Sequence, residues 1–473
     1  MKKGNRRLSR MQSKLVSKLS IALIALVIFI TMPLTASAQT TKTTMATTNT
    51  TDNSNTSKAV AIKRSKELGQ EVDKLLSTNQ PLTLTAKSAI AIDYQTGQVL
   101  YAKNINESLP TASMSKLLTL YVTLKYIKEG KIHWDDKVKI NKALHDLSVD
   151  HNYANVKLRL GHSYTIRQLY QTAIYSENAA TMALGYGIAG STQKFALLMR
   201  KEAKKIGITD AKIYTACGLT NGEVGSLGFK GVSSDAENKL SARDMALLAM
   251  KILKYYPDIL KTTLANTTKF DGQTMLNWNW MIKGRSQELP DIKVDGLKTG
   301  TSDTAKACFT GTAVKNGHRI ITVVMGVPNA GQYDPARFIQ TRKLMKYVYA
   351  KYHYVKLSHG QTVKNATDGR NSGKINVENG KDDSVDLAVS TTQGVWLTKN
   401  QKLNIKDIKS TGEYADGSSV DAGFDKGDKI ATAKVSNVKY MKGVSNRIDL
   451  IANHDGDKPN IFVRAWRWIA SLF

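Results

Sequence analysis

Two runs rich in β-forming residues, Ala89-Ile90-Ala91-Ile92-Asp93 and Gln98-Val99-Leu100-Tyr101, flank Tyr94-Gln95-Thr96-Gly97, a pattern that reads as strand, turn and strand. Apolar positions then recur at helical spacing over 117–127, 179–186, 193–206 and 242–255, and β-rich runs return at 307–314 and 319–327. One sheet built from both ends of a single domain accounts for this order. A closing helix over 335–352, with Phe338, Leu344 and Val348 at helical spacing, is expected to pack across it. Beyond about residue 356 the texture changes. Short runs such as Val385-Asp386-Leu387-Ala388-Val389 and Gly394-Val395-Trp396-Leu397 alternate with Gly, Asn and Asp clusters, which predicts a small all-β domain.

Both ends of the chain depart from globular patterning. Lys2, Lys3, Arg6, Arg7, Arg10, Lys14 and Lys18 precede the apolar run 21–30, and Ala36-Ser37-Ala38 supplies a small-x-small cleavage site, so 1–38 is expected to be a cleaved export leader. Residues 39–58 are nearly all Thr, Asn and Ser, which makes 39–82 a flexible tether ending in a polar helix. At the far end, from Ile461 to Phe473, the residues Ile461, Phe462, Ala465, Trp466, Ile469, Leu472 and Phe473 share one helical face opposite Arg464, Arg467 and Ser471. At about 1.5 Å per residue this helix falls short of the roughly 30 Å hydrocarbon core, and it is expected to lie in a membrane interface. The expected order is thus leader (1–38), tether (39–82), main domain (83–355), small β domain (356–455) and amphipathic helix (456–473).

Composition narrows the class. With 473 residues, 41% hydrophobic, 23% charged and only 8 prolines, the chain is globular, which excludes collagen-like character and wholesale disorder. The formal charge is +29, and it stays strongly positive without the seven basic residues of the leader. Such a charge favours a polyanion. Export removes nucleic acid from the candidates and leaves envelope lipid or wall polymer.

The chemistry begins at Leu109-Pro110-Thr111-Ala112-Ser113-Met114-Ser115-Lys116, just before the first helical segment. Ser113 and Lys116 are three apart, which on a helix sets both on one face, with the amine within reach of the hydroxyl. A lysine so used must be neutral, so it is either desolvated or beside another cation. By itself the pattern also fits a helix start with a solvated lysine. Two companions change its weight: Ser176-Glu177-Asn178, and Lys298-Thr299-Gly300 immediately before the return strands.

The ordered set S-x-x-K, S-x-N and K-T-G resembles the signature of penicillin-binding proteins and class A β-lactamases. The chain is most similar to the low-molecular-mass penicillin-binding proteins that act as D-alanyl-D-alanine carboxypeptidases. The likeness covers nearly all of the exported chain, and it includes the phrase Asp295-Gly296-Leu297-Lys298-Thr299-Gly300-Thr301. It implies an α+β catalytic domain of the DD-peptidase/β-lactamase type, an antiparallel sheet flanked by helices with a helical subdomain, followed by the small β domain and the terminal helix. It implies a bacterial enzyme on the outer face of the cytoplasmic membrane, with peptidoglycan stem peptides as substrates and β-lactams as covalent inhibitors. For the site it implies Ser113 as nucleophile, Lys116 as general base and Ser176 as proton relay to the leaving D-alanine. Asn178 would hold the peptide and steady Lys116. Lys298, Thr299 and Thr301 would hold the terminal carboxylate, and Gly300 would let substrate lie close. Lys298 is also a candidate for the cation beside Lys116. The backbone N–H groups of Ser113 and Thr301 would form the oxyanion hole. The mechanism calls for neither metal nor cofactor.

Several residues need separate expectations. Ser115 is expected to serve packing only, and Glu177 to face solvent, the alternative being that a carboxylate beside the active serine tunes pKa values there. Ala305-Lys306-Ala307 departs from the Ala-Gly usual in the family, which bears on the shape of the strand. His145, Asp146, Asp150 and His151 lack a zinc-motif spacing and are expected to lie in a plain surface loop. Asp416, Asp421, Asp425 and Asp428 lack the calcium-loop pattern and read as solvated turns. Cys217 and Cys308 are either a disulfide or two buried thiols. A class A β-lactamase is the runner-up, but its Glu-x-x-Leu-Asn sequence is missing and Glu223 lies in a different context. A non-catalytic peptidoglycan-binding module is disfavoured by the intact motif positions.

Overall fold

The strand Ser88–Asp93 is buried along its whole length and paired on both sides, with Gln98–Lys103 across a four-residue turn and with His318–Val327 from the far end of the domain. Asp93 starts the turn, its Oδ1 accepting from the amides of Gln95 and Thr96 at 3.0 and 2.7 Å. The computed structural model describes residues 81–458 except 332, 364–372 and 413–416, together with the helix Ile461–Ala470. The expected leader, nearly all of the tether, Asp416 and the last three residues lie outside the described residues.

The sheet runs in the order Lys439–Tyr440, Gln98–Lys103, Ser88–Asp93, His318–Val327, Lys306–Lys315, Lys293–Ser302, each neighbour antiparallel. Side chains alternate between its faces. On one face Ile90, Ile92, Ile321 and Val323 meet Leu117, Leu118, Met245 and Leu248 from the helices Lys116–Lys128 and Ala242–Tyr255. On the other, Ala89, Ala91, Phe309, Ile320 and Val324 lie beneath Phe338, Leu344 and Val348 of the helix Ala336–Lys351, as the spacing predicts. The outer strand Lys293–Ser302 was not anticipated as a strand. Lys298, Thr299 and Gly300 lie within it, not ahead of the sheet.

The helix Ala336–Lys351 leads directly into the strand Tyr352–Leu357, which pairs with Gln393–Thr398 and so crosses the expected boundary at 355/356. A six-stranded sheet follows in the order Ile405–Ser410, Lys429–Val435, Arg447–Ala452, Ser384–Val389, Lys374–Glu378, Ser419–Asp421, around a core that includes Val385, Leu387, Ala433 and Leu450. Trp396 ties the two parts together. Its indole Nε1 donates to Asp93 Oδ2 at 2.9 Å, its amide donates to Gln98 Oε1 at 2.9 Å, and its carbonyl accepts from Gln98 Nε2 at 2.7 Å. The His318 ring stacks on Tyr354 at 3.7 Å. The fold is α+β with a β-rich C-terminal region.

Three expectations are settled locally. His145 and Asp146 are helical, within Lys142–Ser148, because Asn141 caps that turn by accepting from Leu144 N at 3.0 Å; the His145 ring then meets Leu158 O at 2.6 Å and Asp146 pairs with Lys142. Only Asp150 and His151 lie in the connection that follows. Cys217 and Cys308 are separate buried thiols. Lys306, in place of the family's glycine, adopts φ of 56° at the start of its strand and accepts the left-handed backbone that glycine takes readily.

Candidate active site

Ser113 lies on a single 3₁₀ turn, Ala112–Ser115, that runs straight into the helix Lys116–Lys128. The turn is held from below: Asn238 O accepts from Thr111 N at 3.1 Å, and the Thr111 and Ser115 hydroxyls are 2.8 Å apart, so Ser115 does serve packing. The three-residue spacing brings Lys116 Nζ to 2.8 Å from Ser113 Oγ. The same amine donates to Asn178 Oδ1 at 2.7 Å and to Cys217 O at 2.7 Å. Those two oxygens can only accept. A neutral Lys116 therefore keeps its two hydrogens on them and turns its lone pair to the serine hydroxyl. Lys116 is wholly buried, whereas Ser113 is partly open. Burial pushes the lysine down to about 8, against the opposing pull of Cys217 and Glu177. Of the two means left open by the sequence, desolvation is the one that lowers it.

Ser176 takes φ of 85° in the turn before the helix Asn178–Ala189, two positions from the asparagine that meets Lys116. Among the described residues its hydroxyl makes no hydrogen bond to Ser113 or Lys116. Asn178 is anchored by its own amide, which donates to Ala154 O at 2.9 Å. Glu177 corrects the expectation of a solvent-facing side chain: it is buried, and burial pushes its carboxyl up to about 7 while Lys116 and Lys298 pull it down. The left-handed turn at Ser176 accounts for this, since it redirects the chain just before Glu177.

The third motif forms the other wall. Lys298 is buried, with Nζ 3.1 Å from Thr299 O, and burial first, then the charges of Lys116 and Arg337, hold it well below the ordinary lysine value. Thr299 is buried and Thr301 exposed. A Cβ on Gly300 would stand 2.6 Å from Thr111 O and 3.2 Å from Met114 N, so the missing side chain lets this strand pack against the nucleophile turn. Beneath the strand, Arg337 of the closing helix donates to Gly300 O at 2.7 Å and to Thr301 Oγ1 at 2.6 Å, and burial holds its guanidinium down to about 10.

Sequence reasoning missed Arg337, Asn238, the Cys217 carbonyl and Gly218. Gly218 has φ of 90°, and a Cβ there would lie 1.9 Å from Ala112 O. Asn238 Oδ1 accepts from Tyr214 N at 2.6 Å and Asn238 Nδ2 donates to Thr215 O at 2.8 Å, which shapes the loop that presents Cys217. None of these stands in a motif; the repeated glycine and asparagine of a loop carry no address. Glu223 accepts from Thr220 N at 2.6 Å and closes its own turn, unlike the water-activating glutamate of the runner-up. Among the described residues no three His, Cys, Asp or Glu side chains gather as a metal site.

The model of peptidase family S11, D-alanyl-D-alanine carboxypeptidase, matches residues 75–329. The D-alanyl-D-alanine carboxypeptidase DacF of Bacillus subtilis is 30% identical over 358 residues, covering 73% of this chain and 80% of the relative. DacA of Haemophilus influenzae, of the same designation, is 26% identical over 391 residues, covering 82% and 90%. The crystal structure of a peptidoglycan synthesis regulatory factor (PBP3) from Streptococcus pneumoniae superposes with a TM-score of 0.66 at 28% identity, covering 79% of this chain and all of that one.

Proposed function

The chain belongs to the D-alanyl-D-alanine carboxypeptidase family, and from that premise we propose that it removes the terminal D-alanine of peptidoglycan stem pentapeptides through an acyl-enzyme on Ser113. Neutral Lys116 takes the proton of Ser113 as Oγ bonds to the carbonyl carbon of the penultimate D-alanine. The backbone N–H groups of Ser113 and Thr301 receive the oxyanion, a contribution worth about 3 kcal/mol per donor. As the C–N bond breaks, the proton passes from Lys116 through Ser176 to the departing amine. Water then gives a proton to Lys116, attacks the ester and returns Ser113 to its hydroxyl form. Asn178 fixes Lys116 and bonds the bound peptide. Lys298, Thr299 and Thr301 hold the terminal carboxylate of the substrate.

The observation that carries this reading is the threefold contact of Lys116 Nζ with Ser113, Asn178 and Cys217, which leaves the serine proton as the one it can take. A β-lactam has the shape of the D-Ala-D-Ala end, and its opened amide cannot leave, so it acylates the same serine. The test is D-alanine release from a diacetylated tripeptide ending in D-Ala-D-Ala, with mass mapping of a labelled β-lactam. Label on Ser176, or label persisting in Ser113→Ala, removes Ser113 from the role.

In this reading the catalytic domain runs from residue 83 to the end of the closing helix at Lys351, the β domain begins with the strand Tyr352–Leu357 and runs to about 455, and 456–473 is an anchor, with 1–38 lost on export. The described part of the terminal helix supports the anchor: Phe462 and Trp466 are 81% and 71% exposed, and Ile469 44%, so these three apolar side chains are uncovered. No described helix is long and apolar enough to cross a membrane. The helix then lies on the outer face of the cytoplasmic membrane, where arginines suit anionic headgroups.

A further inference from the structure

Glu177 occupies the N-cap position of the helix Asn178–Ala189 but makes no side-chain cap bond. Its backbone is engaged without help from the carboxylate: the amide donates to Thr172 O at 3.2 Å, and the carbonyl accepts from Thr181 Oγ1 at 2.6 Å. The residue is 8% exposed, and Oε2 is buried with no hydrogen-bond partner. A carboxylate taken from water without a donor is costly unless cations stand near it. Two do. Lys116 Nζ lies 2.7 Å from Oδ1 of Asn178, the residue next to Glu177, and Lys298 lies on the third-motif strand that packs at Gly300 against the nucleophile turn; both act on Glu177 through their charge. Behind them, Arg337 of the closing helix acts on Lys298, and Cys217 of the loop at 215–218 acts on Lys116.

The site thus asks opposite things of two buried lysines. Lys116 must be neutral to take a proton, and Lys298 must be cationic to hold a carboxylate. Burial, then the charges of Lys116 and the Arg337 guanidinium, drive Lys298 toward neutrality, and Glu177 is the group that opposes them. We propose that Glu177 is a positioning residue, the counter-charge that holds Lys298 cationic on the substrate carboxylate, and that the same charge sets how high the pH must rise before Lys116 stands neutral as base. This rests on the proposed activity. An ionised Glu177 stabilises the protonated form of both amines, so its removal lowers the pH at which each loses its proton. Two readouts follow, one for each lysine.

The test uses the full chain after leader removal, as wild type, Glu177→Gln and Glu177→Asp. Acylation by a fluorescent penicillin is followed from pH 5 to 9, and D-alanine or D-alaninamide release is followed from a peptide ending in the free carboxylate or in the carboxamide. In Glu177→Gln acylation exceeds wild type between about pH 7 and 8, where the wild-type carboxylate is ionised, and the two profiles converge toward pH 5. At pH 8 its KM for the carboxylate peptide rises about fivefold or more, while KM for the carboxamide changes less than twofold. Glu177→Asp, which keeps the charge but draws it back, gives smaller shifts in the same directions. If the Gln protein does not fold, the Asp protein decides by the same two readouts. An acylation profile that superimposes on wild type, or KM changes equal for both peptides, overturns the counter-charge role while acylation itself upholds the activity. A wild type that neither acylates nor releases D-alanine overturns both.

Discussion

The carbonyl oxygen of Cys217 lies 2.7 Å from Nζ of Lys116, a residue 101 positions earlier in the chain. A backbone carbonyl neither takes nor gives up a proton, so this contact fixes one hydrogen of the amine in every protonation state. The Asn178 oxygen fixes a second. Only the position toward Ser113 changes when Lys116 titrates.

Acylation is therefore expected to follow the neutral fraction of Lys116. With the lysine at about 8, the rate rises roughly tenfold per pH unit below that value and levels above it. Lys116→Ala should cost about 10²–10⁴-fold while the melting transition remains. Stopped-flow acylation by a fluorescent penicillin measures both. A rate flat between pH 6 and 8, or an alanine variant within a few-fold of wild type, would remove Lys116 from the base role.

Arg337 joins the closing helix to the third-motif strand, and its fork is occupied on both sides by Gly300 O and Thr301 Oγ1. Lysine cannot span both acceptors. Arg337→Lys is predicted to raise KM for D-Ala-D-Ala peptides about tenfold, and Arg337→Ala to lose about 1–3 kcal/mol of stability as well, because buried carbonyls lose their donor. Steady-state kinetics and chemical denaturation check this; wild-type KM in both variants would show that the contact does not shape the carboxylate site.

Gly218 and Gly190 offer a matched pair. Both have positive φ, but a Cβ on Gly218 runs into Ala112 O whereas one on Gly190 meets nothing within 4 Å. Gly190→Ala should cost only about 1 kcal/mol of backbone strain and keep full acylation. Gly218→Ala should displace the nucleophile turn and lose acylation at least about a hundredfold. Equal behaviour of the two variants would mean that the turn tolerates movement.

Truncation after Asp457 removes the terminal helix but none of the residues that form the three cores. The truncated, leader-processed chain should fractionate as a soluble protein with unchanged D-alanine release from soluble peptide. Continued membrane association would assign the anchor elsewhere, and loss of activity would make the helix part of the fold.

Much of this was readable from the amino-acid sequence because local periodicity and motif spacing carry it. Ser113 and Lys116 meet as a three-residue spacing on a turn must, and the Ala242–Tyr255 helix follows its apolar stripe. The outer strand Lys293–Ser302 was missed because Lys298, Thr299 and Gly300 break the β-rich pattern. The roles of Arg337 and of the Cys217 carbonyl were invisible for another reason: each acts through contacts made only when distant segments pack. Glu177 misled because its direction depends on the backbone of Ser176, where a left-handed turn in a non-glycine residue has no signature in sequence.

Ala89, near the start of the catalytic domain, finds its second sheet neighbour only in Val324. For a chain that emerges from its amino end, the first strand waits, half-paired, through almost the whole of the domain. Sheet closure at such sequence separation is slow, and the outer edge at Gln98–Lys103 stays open longer still, until Lys439–Tyr440 arrives to cover it. The native state is thus reached late and nearly all at once. Nascent lengths ending before residue 318 should remain protease-labile, and resistance should appear only when the return strands are present.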